Sequence, residues 1–169
     1  MARVRLLTAT ASHLSALLRS PQDLSALLGV PVPAGWPEFP EAVPATLRIL
    51  TEHPGQAPWW MHLFLDDDSG LLVGSGGFAG PPVDRTVEVG YEIAPEHRRC
   101  GFATAAVRAL LAAAAASGEV DRVVAHTRDG DERSGGVLRA AGFAQVARVE
   151  HPEEGTLLRW ERGVPGPGE

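Results

Sequence analysis

Two periodicities meet near residue 100. Downstream, Val107, Leu110, Leu111, Ala114 and Ala115 recur at helical spacing, predicting an amphipathic helix over residues 102–117. Upstream the period is two: Val87, Val89, Tyr91 and Ile93 alternate with Glu88, Gly90 and Glu92, the pattern of a strand with one buried face. A short strand near residues 4–7 leads into helices near 11–18 and 22–28, the second started by Pro21 and stopped by Gly29. A proline-rich loop, 30–44, carries Trp36 and Phe39, and a helix from about 41 to 52 follows, with Leu47 and Leu50 on one face. Residues 59–65 and 71–78 read as strands around the turn Asp66-Asp67-Asp68-Ser69-Gly70, and Gly80-Pro81-Pro82 separates the second from the strand at 86–93. Short linkers make antiparallel pairing the simplest arrangement. After the long helix come a strand at 122–127, a helix at 131–141 ended by Gly142, and a closing hairpin at 144–150 and 156–161. That helix carries Ser134, Val137, Leu138 and Ala141 along one side. The expected class is α/β (α+β) with a mixed, mostly antiparallel sheet.

Composition narrows the classes. At 169 residues and 44% hydrophobic, the chain suits one domain, 1–163, with a tail at 164–169 whose alternating Pro and Gly should fray. No apolar run approaches the ~20 residues of a membrane span, and no signal-like stretch opens the chain. The expectation is a cytoplasmic, unprocessed protein. The single cysteine, Cys100, excludes an internal disulfide and a cysteine-based metal site. Six histidines without close spacing, and an acidic turn at 66–68 without further ligands, imply no metal. A net charge of −6 argues against nucleic acid as a partner and is compatible with a cationic acceptor. Gly74, Gly76 and Ala79 formally match a dinucleotide fingerprint, but Gly80-Pro81-Pro82 forbids the helix that its mechanism requires.

The informative stretch is EVGYEIAPEHRRCGFATAAVRAL, residues 88–110. A strand ends at Ala94-Pro95 and a helix starts near Gly101, so the turn between them offers unpaired N–H groups at the positive end of a helix. Gly101 and the small Ala103 let a phosphate approach closely, and Arg98 and Arg99 add positive charge. These are the parts of a pyrophosphate cradle. It is not a nucleotide P-loop, because no Gly-Lys-Ser/Thr triplet follows. On local physics alone, the alternative is an ordinary strand-to-helix turn with surface arginines.

The wider pattern is more specific. Arg98-x-x-Gly101-x-Ala103, after a strand ending Ala-Pro, resembles the acyl-CoA pyrophosphate motif of the GNAT superfamily of N-acetyltransferases. Ala125-His126-Thr127 and Ser134-x-x-Val137-Leu138-Arg139-x-Ala141-Gly142-Phe143 resemble that superfamily's next block. Element order fits along nearly the whole chain, and the Glu88-x-Gly90-Tyr91 strand is most similar to the branch containing the ribosomal-protein N-terminal acetyltransferases. The resemblance implies a GNAT-like fold in which the strands at 86–93 and 122–127 splay apart. It implies acetyl-CoA as co-substrate, its pantetheine arm pairing with Ile93 and its neighbours. The pyrophosphate would be held by the backbone of Arg99, Cys100, Gly101, Phe102, Ala103 and Thr104, with Arg98 beside them. A homodimer is left open. Asp131 departs from the pattern, standing where the family usually has Asn. An ionised Asp only accepts hydrogen bonds, so Asp131 is either a cofactor contact or a helix N-cap. Ser134 either contacts the cofactor or sits in the helix's first turn.

Attack on a thioester needs a neutral amine. At pH 7 a lysine-like amine (pKa ~10.4) carries a handicap of about 4–5 kcal/mol, and an α-amine (pKa ~8) only about 1–1.5 kcal/mol. Glu88 is the expected base, acting directly or through a water; the alternative is that Glu88 and Glu92 are merely solvated or paired with arginines. A strand N–H near Tyr91 would polarise the thioester oxygen. Relatives commonly protonate the leaving thiolate with a tyrosine after the second helix. Here the only tyrosine is Tyr91, which leaves His126, Ser134 or water. Cys100 reads as a passive loop residue. Trp36, Trp59, Trp60 and Phe39 either line an acceptor pocket or pack in the core. The expected activity is transfer of an acetyl group to a primary amine, on a protein N-terminus or a small molecule. From another class stands a non-catalytic acyl-CoA-binding or sensing module. A purely structural subunit would require a degenerate cradle.

Overall fold

Seven strands form one sheet in the order β1-β2-β3-β4-β5-β7-β6 in the computed structural model, which describes residues 1–165. The strands are β1 (Val4–Thr8), β2 (Met61–Asp66), β3 (Leu72–Phe78), β4 (Thr86–Ile93), β5 (Arg122–Arg128), β6 (Ala144–His151) and β7 (Gly155–Gly163). The helices are α1 (Ala11–Arg19), α2 (Pro21–Leu28), α3 (Ala42–Glu52), α4 (Phe102–Ser117) and α5 (Glu132–Ala140). Every pairing is antiparallel except β4 with β5. The expected fraying tail lies outside the described residues from 166 onward.

Most elements form where the pattern places them. Gly29 ends α2 in the left-handed conformation (φ 77°), and Asp131 caps α5, its side chain accepting from the Ser134 amide. The strand expected over 59–65 begins only at Met61, because Pro54–Trp59 forms a 3₁₀ turn containing Pro58, which has no N–H to offer a ladder. The closing hairpin forms, but β7 lies between β5 and β6. Burial explains the order: β7 buries Leu157 and Trp160, whereas β6 has no buried residue.

Two cores sandwich the sheet. On one face α4 and α5 bury Val107, Leu110, Ala114 and Leu138 against Val73, Val87, Val89, Val123 and Trp160. A buried Leu110→Ala would cost about 2–5 kcal/mol. Trp160 donates its indole N–H to Thr127 Oγ1 (2.9 Å) and lies under the Arg139 guanidinium. On the other face α1, α2 and α3 cover Leu63, Leu65 and Leu72, and no residue of β5, β6 or β7 joins that second core. The helical cover therefore stops beside β4, and the polar face of β4 opens into a cleft there.

Candidate active site

The parallel pairing of β4 and β5 covers only Thr86, Val87 and Glu88 against Arg122, Val123 and Val124. Beyond that the strands splay. Ala79 donates its amide to Glu88 O and Ala94 donates to Val73 O, so the even-numbered residues of β4 turn their peptide groups toward β3. Tyr91 and Ile93 therefore turn theirs into the gap. The Ile93 carbonyl accepts a bond from Arg98 Nε (3.1 Å).

Past the gap, the turn into α4 has the shape of an anion nest. Arg99 (φ 62°) and Gly101 (φ 85°) are both left-handed, and Gly101 caps α4 without any side-chain hydrogen bond. Among the described residues, the amides of Arg99, Cys100, Gly101, Phe102, Ala103 and Thr104 make no hydrogen bond within the protein, the first amide bonded back being that of Ala105, to Gly101 O. A Cβ on Gly101 would meet only Ala2, at 3.5 Å, an ordinary contact. Cys100 is exposed, its thiol donating to Arg98 O (3.4 Å).

A groove of about 470 Å³ runs from this turn into the splay, lined among others by Ile93, His97, Arg98, Ala103, Asp131, Arg133, Ser134 and Val137. Arg98 is half-committed elsewhere, its Nη2 donating to Glu38 Oε2 (3.1 Å). Arg133 is thus its uncommitted arginine, with the free amides of the adjoining turn and Arg99 beside them, opposed by the carboxylates of Asp131 and Glu132 on the α5 wall. The Asp131 carboxylate accepts the Ser134 amide (3.1 Å), which makes it the helix cap.

At the groove's floor the Tyr91 hydroxyl is buried and completes no hydrogen bond. Burial pushes its pKa up to about 12, reinforced by Asp131 and opposed by the Ser134 hydroxyl. Ser134 is near enough to act on the phenol electrostatically, but the pair falls outside hydrogen-bonding geometry. The phenol is neutral at any working pH.

A second cleft, of about 430 Å³, opens on the other face of β4. Its wall comprises Phe39, Thr46, Trp60, Met61, Ser75, Gly76, Gly77, Phe78, Glu88, Gly90 and Glu92, and the two cavities share Phe39, Tyr91 and Glu92. Glycine is required in the strand behind this cleft: a Cβ on Gly76 would lie 2.4 Å from Gly90 O, and one on Gly77 only 1.7 Å from Trp60 O. That accounts for the glycine-rich stretch that mimics a dinucleotide fingerprint.

Of the four candidate aromatic residues, Trp60 and Phe39 line the cleft. Trp36 is buried, donating its indole N–H to Ser75 Oγ (2.9 Å), and Trp59 packs on Phe78. Glu92 is structural: its carboxylate accepts the amides of Glu38 (2.7 Å) and Phe39 (3.3 Å), pinning residues 36–39 over the cleft mouth. Glu88 contacts the cleft, and its Oε1 lies 2.6 Å from His126 Nδ1 on β5. Because an ionised carboxylate only accepts, His126 Nδ1 carries the proton in that bond. The alternation within β4 marks Glu88; nothing local marks Met61, Thr46 or Ser75, which arrive from separate elements.

The comparisons with known proteins agree with this geometry. Residues 3–144 match the acetyltransferase (GNAT) domain family. An uncharacterized N-acetyltransferase of Bacillus subtilis, YjdG, is 28% identical over 144 residues, covering 83% of this chain and 86% of the relative. RimL, a ribosomal L7/L12 alpha-N-protein acetyltransferase solved in complex with coenzyme A, superposes with a TM-score of 0.70 at 20% identity, covering 96% of this chain and 94% of that one. A chimera of the spermidine N-acetyltransferase SpeG from Vibrio cholerae gives 0.68 at 15% identity, covering 94% of each chain. The free-amide turn, the splayed β4 and β5 and the family match over most of the sequence lead to one conclusion: this chain belongs to the GNAT acetyltransferase family.

Proposed function

We propose that the chain moves the acetyl group of acetyl-CoA directly onto a primary amine within a ternary complex. The observation that carries this reading is the meeting of the two cavities at Tyr91, one leading to a turn of unbonded amides and the other holding Glu88. The pyrophosphate sits on the amides of residues 99–104, with Arg99 and Arg133 supplying charge. The pantetheine arm takes the place of the missing β5 partner along Tyr91 and Ile93. The Tyr91 amide faces the gap, where it polarises the thioester oxygen.

Glu88 takes the amine proton, directly or through a water, while His126 orients its carboxylate from behind. As the tetrahedral intermediate collapses, the C–S bond breaks and the thiolate leaves. Ser134, beside the groove floor, is placed to donate a hydrogen bond to it, and solvent water supplies the proton. The Tyr91 phenol, neutral and unpartnered, is not an acid of matched pKa.

Thermal stabilisation by acetyl-CoA, followed by thiol release across a set of amines, tests the proposal. Stabilisation without release from any amine would leave a binding module in its place. Failure of acetyl-CoA to bind would remove both readings.

A further inference from the structure

Few polar atoms of the acceptor cleft remain available. Thr46 donates its hydroxyl to Ala42 O (2.8 Å), Ser75 accepts the Trp36 indole N–H, and Trp60 donates its own to Gln56 Oε1 (3.1 Å). Both oxygens of Glu92 hold the 36–39 segment. Gly76, Gly77 and Gly90 have their backbone in the ladders joining β2, β3 and β4. What remains accessible is Glu88, with one oxygen on His126; the other uncommitted groups, the Tyr91 hydroxyl and the Ser75 hydroxyl proton, are buried. No arginine or lysine lines the cleft. The rest of the wall is Phe39, Ala42, Met61, Phe78, Ala79 and the flat face of Trp60.

Resting on the acetyltransferase reading above, we infer that the acceptor is a small monoamine: one primary amino group on an apolar, uncharged body of aryl-alkyl or alkyl character. A single carboxylate matches a single ammonium. A polyamine would bring a second cation to a wall whose other carboxylate, Glu92, is already held by the amides of Glu38 and Phe39. A peptide would bring several amide groups into a cleft whose one accessible uncommitted side-chain partner is Glu88, and unpaired polar groups are penalised. The cavity volume of about 430 Å³ lies within the range of small-molecule pockets.

Gly90 sets the depth of the cleft. It lies between Glu88 and Glu92 on the open face of β4, and a Cβ there would meet nothing within 4 Å. A side chain at 90 therefore projects into acceptor space without disturbing the protein. Gly90 is the specificity-determining position, and Phe39, 59% exposed and shared by both cavities, closes the mouth.

The experiment measures thiol release at saturating acetyl-CoA with 2-phenylethylamine, hexylamine, spermidine and a free N-terminal tripeptide. The monoamines should exceed spermidine and the tripeptide in kcat/KM by about tenfold or more. Gly90→Val should raise KM for 2-phenylethylamine about fivefold or more while acetyl-CoA stabilises the variant as it does the parent. Phe39→Ala, a second variant at an exposed site, should weaken discrimination between hexylamine and spermidine. Equal or better turnover of spermidine or the tripeptide overturns the inference alone, as does a Gly90→Val enzyme with unchanged KM. Absence of release from every amine overturns it together with the reading on which it rests.

Discussion

The two halves of the site are built differently. The cofactor side comes mainly from two segments: residues 93–104 supply the strand end, the turn and the first helical turn, residues 130–137 the opposite wall, and its main chemistry is backbone N–H. The acceptor side is gathered from five places, the 36–46 segment, Trp60 and Met61, residues 75–79, β4, and His126 behind it. Its chemistry is carried by side chains. A backbone site tolerates changes of residue so long as the conformation survives. A side-chain site is rebuilt by each substitution in its wall. The first half should therefore be sensitive to φ and indifferent to most residue identities, and the second the reverse.

The largest expected effect lies on the acceptor side. Glu88→Gln should lower kcat about 10²–10⁴-fold, the usual worth of a general base, without changing thermal stabilisation by acetyl-CoA. A steady-state assay with a high-pKa amine measures it, and an unchanged kcat would remove Glu88 from the mechanism. Next comes the conformational half. Gly101→Val places a branched side chain at φ 85°, costing about 1–3 kcal/mol where that conformation persists. Acetyl-CoA affinity should fall about tenfold or more by calorimetry, with the amine KM unaltered. If the amine KM moved and the cofactor affinity did not, the division of the site proposed here would be reversed.

A smaller change sharpens the same contrast. Asp131→Asn keeps an N-cap of equal quality, so stability should stay within about 0.5 kcal/mol, while one carboxylate leaves the groove facing the polyanion. Acetyl-CoA should bind a few-fold more tightly, and more so at low salt. Asp131→Ala would instead cost about 1 kcal/mol of stability.

The smallest effect concerns the acceptor half's support. His62 is buried, Nε2 donating to Pro58 O (2.9 Å) and Nδ1 accepting from the Thr8 hydroxyl (3.2 Å). Burial holds its pKa below the ordinary 6.5, despite the opposing pull of the Pro58 carbonyl. The unfolded chain therefore binds the proton more readily. The stability contributed by neutral His62 is complete above about pH 6.5 and is lost as pH falls through that value toward the folded pKa. Thermal melts from pH 8 to pH 5 should decline more steeply for the parent than for His62→Gln.

Legibility in the sequence follows the same division. The alternation in β4 and the period of α4 placed both elements at their observed limits, and the turn between them carried a recognisable motif because all its parts are neighbours in the chain. Capping by Asp131 was one of two readings that local chemistry left open. By contrast, alternation puts Glu88 and Glu92 on the same face of β4, and only the folded chain shows how differently they are held: the Glu92 carboxylate is taken up by the amides of Glu38 and Phe39, while Glu88 keeps an oxygen free. The bond between Glu88 and His126 crosses from one central strand to the next. Nor does any local pattern state that β7 should enter the sheet before β6, since two strands of a hairpin are equivalent until burial of Trp160 distinguishes them.

That insertion has a consequence for how the molecule is made. During synthesis β5 leaves the ribosome well before Gly155–Gly163, yet its outer hydrogen bonds are all to β7. Until those residues emerge, Thr127 has no indole to bind and one edge of β5 stays open to any passing strand. The nascent chain must hold its cofactor half in an unfinished sheet, so refolding experiments on chains stopped before residue 155 should yield aggregation rather than a smaller active enzyme.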